Sequence, residues 1–256
     1  THGDGSSSTI KCNFLHMCSG YYNYNEGHNP DFPGKADFAG DIVHPQFWPD
    51  DLDYAGKKVV VIGSGATAVT LVPSMADTAS HVTMLQRSPT YIVSRPGEDK
   101  WALRFRKFMP SKIAYALTRW KNVLMGLFMF NLARNKPAMF KKSLLDLVKD
   151  EMGPDVDMAH YTPSYNPWDQ RLCLVPDSDL FDSIKSGDAS IVTDHIESFT
   201  RNGILLKSGE TLDADVIVTA TGLKLATGGG ADIVVDGKPI TFGDTINYKG
   251  VMFSGV

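Results

Sequence analysis

The stretch VVVIGSGATAVTLVP, residues 59–73, carries the densest chemical signal in this chain. A β-branched run stops at Gly-Ser-Gly, and small and apolar residues at helical spacing follow. Gly63, Gly65 and Ala68 fit G-x-G-x-x-G/A, the turn that opens a dinucleotide-binding βαβ unit. Each small residue has a task. Gly63 permits the tight turn, Gly65 lets a pyrophosphate approach the backbone, and Ala68 lets the helix lie close to the strand. The helix start, with Ser64, Ala66 and Thr67, offers free N–H groups and a positive dipole end to phosphates, and Thr67 adds a hydroxyl. The alternative is a glycine turn that holds no ligand.

The end of the next strand selects the cofactor. An acid there would grip the ribose 2′-OH of NAD or FAD. This chain has LQRSPT instead: Gln86 is uncharged, Arg87 is a cation, and Ser88 and Thr90 are donors. A carboxylate repels a 2′-phosphate, whereas Arg attracts it and bonds it bidentately. Arg87 and Ser88 therefore point to NADP(H), the alternative being an arginine that faces solvent. Arg171, in WDQRLC, offers a charge that persists at any working pH, and by itself reads equally well as half of an interdomain salt bridge. His44 has an imidazole suited to proton transfer, without a carboxylate in its own motif to orient it. His28, His44 and Cys18 lack ligand spacing, so no metal site is expected.

These residues need a scaffold. The 256 residues suffice for one large domain or two small ones. Apolar residues make up 43%, which excludes a disordered chain, and a net charge of −4 gives no bias toward nucleic acid. Three cysteines at irregular spacing suit a reducing, cytoplasmic compartment. No basic and apolar leader or membrane-spanning apolar run stands out.

Strand KVVVIG, a helix from about 66 to 75 and strand HVTMLQR form the βαβ start. Residues 99–151 read as a helical insertion punctuated by Pro110 and Pro137, rich in Lys and Arg with almost no acid before Asp146. Its most apolar part, NVLMGLFMFNLA (122–133), is too short to span a bilayer and reads as a core helix, with peripheral membrane contact as the alternative. Asp177 or Ser178 is expected to cap a helix that Gly187 ends. Short strands follow at SIVTD, IESFT and GILLKS, and IVVDGKPI has a type I′ hairpin signature. KCNFLHMCSG (11–20) reads as a strand buried on both faces, which would bury Cys12 and Cys18 as small thiols. ADVIVTATGL (214–223) reads as a second such strand. Their endings, CSG and ATG, flank the βαβ region. This echo implies one domain inserted into another: 1–22 and 206–256 outside, a linker 23–56, and a nucleotide domain 57–205.

The segment FAGDIVHPQFWPD carries Phe38, Gly40, His44 and Trp48 followed by Pro49. This resembles the fingerprint F-x-G-x-x-x-H-x-x-x-W-[PD] of type I Baeyer–Villiger flavin monooxygenases, and the likeness extends from about Lys11 to the end. The resemblance implies an FAD domain interrupted by an NADP domain, with Ser19, Gly20, Thr221 and Gly222 on the FAD side. It implies that NADPH reduces FAD, and that the reduced flavin uses O2 to oxygenate a small ketone, thioether or thioamide. Arg171 falls at the family's active-site arginine, where a guanidinium steadies a peroxide anion. The fingerprint residues belong to the linker that couples NADP-domain movement to catalysis. The family's own FAD glycine turn has no counterpart before Lys11, so the sequence reads as a fragment expected to bind FAD poorly alone.

Overall fold

A computed structural model describes residues 3–248 and 252–254. The chain divides into two compact units, one holding the residues up to 28 and from 223 on, the other Asn29–Gly222. In the first unit, β1 (Tyr22–Gly27) leads out of the N-terminal segment. The second unit then runs β2 (Asp41–Val43), β3 (Lys58–Ile62), α1 (Ala66–Ala76), β4 (His81–Gln86) and β5 (Tyr91–Arg95). Helices α2 (Lys100–Phe108), α3 (Ser111–Asn135) and α4 (Pro137–Met152) follow, then β6 (Leu172–Pro176), α5 (Asp179–Ser186) and β7 (Ala189–Thr193). It closes with β8 (Ile196–Thr200), β9 (Gly203–Leu206), β10 (Thr211–Asp213) and β11 (Val216–Thr219). Returning to the first unit, β12 (Leu223–Leu225) pairs antiparallel with β1. Two hairpins complete it: β13 (Ile233–Val235) with β14 (Lys238–Ile240), and β15 (Ile246–Tyr248) with β16 (Met252–Ser254). Asp236 and Gly237 both have positive φ, as a type I′ turn requires.

The second unit is built on a five-stranded parallel sheet in the order β2-β11-β3-β4-β7. Its central strands are apolar runs because both faces are covered. Val59 and Val61 point to a core with Ala68, Val69 and Val72 of α1 and Leu180 and Phe181 of α5. Val60 and Ile62 point the other way, to Phe38 and to Phe199, Ile204, Leu206 and Leu212 of the β8-β9-β10 meander. Each such side chain, fully buried, contributes about 1.5–3 kcal/mol. A separate parallel pair, β5 with β6, takes α4 against it through Tyr91, Val93 and Leu144. This is an α/β dinucleotide-binding fold with a helical insertion, as expected.

Several expectations fail locally. Residues 11–20 form no strand, and Cys12 and Cys18 are exposed. An apolar run becomes a strand only where a neighbour takes its backbone hydrogen bonds, and none pairs with this one among the described residues. The strand at Val216–Thr219 joins β2 and β3 in the central sheet, and the compact second unit extends to Gly222 instead of ending near 205. The apolar run 122–133 is not core. In α3 only Ala114 and Ala133 are buried, while Val123, Leu124, Met125, Leu127, Phe128 and Phe130 are exposed. Neither expected side chain caps α5: Ser178 stands at the N-cap in a left-handed conformation, and Asp177 instead accepts from the Gly97 N–H at 2.9 Å. Gly187 ends that helix as expected, with φ 87°. Among the described residues no helix is long and apolar enough to cross a membrane.

Candidate functional site

The carboxyl ends of β11, β3 and β4 lie side by side, and the chain leaves β3 for β4 on one side while β11 lies on the other. This is a switch point, where open α/β sheets bind ligands. Gly63 turns the chain off β3 with φ 134°, and its N–H donates to the Leu85 carbonyl at 2.8 Å. A Cβ there would stand 2.5 Å from the Ala220 carbonyl oxygen, so the fold itself requires glycine.

Gly65 differs. It is the N-cap of α1 with φ −85°, and a Cβ added to it would meet nothing within 4 Å. The fold makes no demand for glycine here. The helix start carries no side-chain cap, and Ala66 and Thr67 are exposed, so unclaimed N–H groups face open space. Ala68 is fully buried between helix and sheet. Anion chemistry is what this end of α1 offers.

Ser64, between the glycines, is buried and turned inward. Its hydroxyl lies 2.9 Å from that of Thr90 and donates to the Ser88 carbonyl at 3.4 Å. Arg171 donates through Nη2 to Ser64 Oγ and through Nε to Thr90 Oγ1, each at 3.1 Å. Ser64 thus organises the turn, and Arg171 reaches the same turn from a segment 107 residues away in sequence. Nη1 of Arg171 has no hydrogen-bond partner among the described residues, and the side chain is exposed. Beneath it, Cys173 donates to the Ser64 carbonyl at 3.7 Å. Burial pushes that thiol's pKa up, and the Arg171 charge pulls against it.

Two tyrosines hold the arginine's loop. Buried Tyr91 donates to the Tyr165 carbonyl at 2.6 Å, and Tyr165 donates to the Arg171 carbonyl at 2.9 Å. Burial first, then the neighbouring Tyr165 and Asp169, push the Tyr91 hydroxyl up to about 12. Nothing in the sequence announces this relay. The loop between them has no periodicity from which it could be read. Trp168 is exposed and meets Phe130 edge-on, with ring centroids 5.9 Å apart.

Arg87 and Ser88 follow β4 and are both exposed, and Arg87 makes no ion pair among the described residues. Gln86 is fully buried and donates to the His160 carbonyl at 2.7 Å and to Thr193 Oγ1 at 2.9 Å. The position that an acid would take for a ribose is therefore internal to the fold.

The fingerprint residues tie β2 to β11 at both ends. Phe38 packs edge-on to Phe199, with centroids 6.5 Å apart. A Cβ on Gly40 would come within 2.1 Å of the Asp215 carbonyl oxygen, so strand entry there needs glycine. At the far end His44 accepts from the Gln46 N–H through Nδ1 at 3.2 Å, which leaves its proton on Nε2 to donate to the Gly222 carbonyl at 3.0 Å. Trp48 packs against Tyr54 and the first core. Thr221 donates to the Thr219 carbonyl at 3.4 Å, just before Gly222 at φ 108°. Ser19 and Gly20 belong to the first unit, where Ser19 lies against Gly229.

Residues 1–235 match the family profile described as flavin-binding monooxygenase-like. The chain is 52% identical over 254 residues to the FAD-containing monooxygenase EthA of Mycobacterium tuberculosis (strain H37Rv), covering 98% of this chain and 52% of that protein. It is 53% identical over 245 residues to the probable FAD-binding monooxygenase AlmA of Acinetobacter baylyi, covering 95% and 49%. The chain spans about half the length of the curated relatives it matches. Among solved structures, an oxidized steroid monooxygenase bound to NADP superposes with TM-score 0.64 at 22% identity, over 84% of this chain and 49% of the other. A cyclohexanone monooxygenase in an open form gives 0.59 at 20%, over 79% and 47%. These two likenesses speak to the fold. The profile and the sequence matches make this chain a member of the flavin-binding monooxygenase-like family.

Proposed function

We propose that the second unit holds NADP(H) at the turn between β3 and α1, as part of an FAD-dependent monooxygenase. The observation that carries this reading is Gly65: a glycine the fold does not need, at an uncapped helix start, facing open space. The residues fit the group. The N–H groups of Ala66 and Thr67 suit the pyrophosphate, and Arg87 with Ser88 suits a 2′-phosphate, since Arg87 has no carboxylate to satisfy among the described residues. When bound, NADPH supplies a hydride and FAD an oxygen-activating ring, so that one atom of O2 is placed on a small ketone or on sulfur.

Arg171 would hold a fixed positive charge beside the turn, of use to a reaction in which negative charge develops on oxygen. Its hydrogen bonds to Ser64 and Thr90 support this assignment, because they orient the guanidinium before any ligand arrives. The Phe38, Gly40, His44 and Trp48 segment supports the ketone-oxygenating branch over plain sulfur or nitrogen oxygenation.

The test is a titration of the chain with NADPH and with NADH, repeated on Arg87→Ala. NADPH should bind the parent more tightly. The substitution should cost about tenfold to a hundredfold for NADPH alone, the worth of one charge-assisted contact. Equal affinities in the parent refute the 2′-phosphate assignment. Oxygen uptake by a protein of the relatives' full length that contains this chain, with FAD and NADPH, on a ketone and on a thioether, separates the branches: an ester product supports the first.

A further inference from the structure

In α3, Ile113, Leu117, Trp120, Leu124, Leu127 and Phe128 recur at spacings of four, three, four, three and one, which places them on one face of the helix. That face is bare: their exposures run from 42% at Leu117 to 61% at Trp120. Water around six large apolar side chains is costly, and soluble proteins rarely leave such a contiguous stripe uncovered.

The charge around the stripe is one-sided. Residues 100–145 hold eleven Lys and Arg and no Asp or Glu, in a chain whose net charge is −4. Asp99 caps α2, accepting from the N–H groups of Trp101 and Ala102, and pairs with Lys121 of α3, which fastens the two helices together. Arg134 pairs with Asp169. Lys100, Arg104, Arg106, Lys107, Lys112 and Arg119 are exposed and have no ion pair among the described residues. Trp101 and Trp120, both exposed, carry the rings that favour the boundary between water and hydrocarbon.

We infer that α2 and α3 dock flat on an anionic lipid bilayer. The apolar stripe enters the boundary between headgroups and acyl chains, and the unpaired cations meet lipid phosphates. Charge complementarity selects this occupant: a second copy of the chain would bring the same cations against each other, whereas an anionic surface attracts each of them by about 1 kcal/mol before screening. Among the described residues no helix is long and apolar enough to span a membrane, and a contact made by exposed cations weakens with salt.

The test uses the purified chain and two vesicle preparations, phosphatidylcholine alone and the same lipid with one molecule in three replaced by phosphatidylglycerol. Sedimentation should carry the protein down with the anionic vesicles and leave it in solution with the neutral ones. Brominated acyl chains should quench tryptophan emission. Leu124→Ser with Leu127→Ser removes stripe area without touching the core and should weaken binding about tenfold or more. Arg104→Glu with Lys107→Glu should do the same through charge. Equal binding to both vesicles, or binding that the serine changes leave intact, overturns the proposal. So does self-association that the serine changes abolish while neither vesicle binds protein, because the stripe would then hold a second copy.

Discussion

Gly63 and Gly65 stand two residues apart and answer to different demands, so the same substitution should separate folding from binding. At Gly63, alanine puts a methyl 2.5 Å from the Ala220 carbonyl oxygen at φ 134°, where L residues rarely stand. The strained backbone costs on the order of 1–3 kcal/mol, and pushing the chain after β11 aside costs as much again, about 2–6 kcal/mol together. That is a large part of the roughly 5–15 kcal/mol by which a domain is stable. At Gly65, alanine meets nothing within 4 Å and φ is −85°, so no clash arises, and a gain of up to about 1 kcal/mol through the unfolded chain offsets alanine's poorer fit as an N-cap. Its methyl then occupies the space that a pyrophosphate needs. Losing even one charge-assisted bond to an N–H of α1 weakens NADPH binding about tenfold or more. The assay pairs urea unfolding, followed by far-ultraviolet circular dichroism, with NADPH titration of each variant. Gly63→Ala should unfold at much lower urea, and Gly65→Ala at the same or higher urea with binding lost. If Gly65→Ala binds NADPH as the parent does, the phosphates do not rest at this helix start and the assignment of the turn fails.

His44→Ala removes the bond to the Gly222 carbonyl and should cost about 1 kcal/mol, with faster amide hydrogen exchange confined to the ends of β2 and β11. Gly40→Ala should cost more than that, because its methyl would stand 2.1 Å from a backbone oxygen of Asp215; a midpoint unchanged in urea would contradict it. Ser64→Ala and Arg171→Gln should be non-additive in stability, since each removes the other's partner, and a coupling near zero in a double-mutant cycle would mean that the bond is not formed in solution. Tyr91 and Tyr161 both have hydroxyls pushed by burial from 10.0 up to about 12. The unfolded chain releases these protons first, so stability is intact below pH 10.0 and falls as pH rises toward about 12; Tyr161→Phe should flatten that fall in a pH series of urea midpoints.

The strand, turn and helix were legible because they are local. A strand, a glycine turn and a helix within nineteen residues declare themselves through β-branching and spacing, and LQRSPT follows at the distance set by one crossover. Contacts made at long range were not legible. Nothing in WDQRLC announces that Arg171 meets Ser64 and Thr90, because that depends on the β5-β6 pair and two tyrosine bonds. Burial was misjudged where hydrophobicity was its only sign: Phe14 and Leu15 are as apolar as Val60 and Val61, yet the first pair is exposed and the second buried. The fingerprint was recognisable as a pattern, but its reason lies in geometry, with Gly40 giving way to a carbonyl and His44 gripping another.

Strands β2 and β11 are hydrogen-bonded neighbours, yet they open and close a stretch of almost two hundred residues. The entrance and the exit of that stretch are therefore adjacent doors in one wall. Such an arrangement behaves as a cassette: it can be lifted from one host and grafted into another with short seams, and joining its own ends to cut it elsewhere should leave the sheet order untouched.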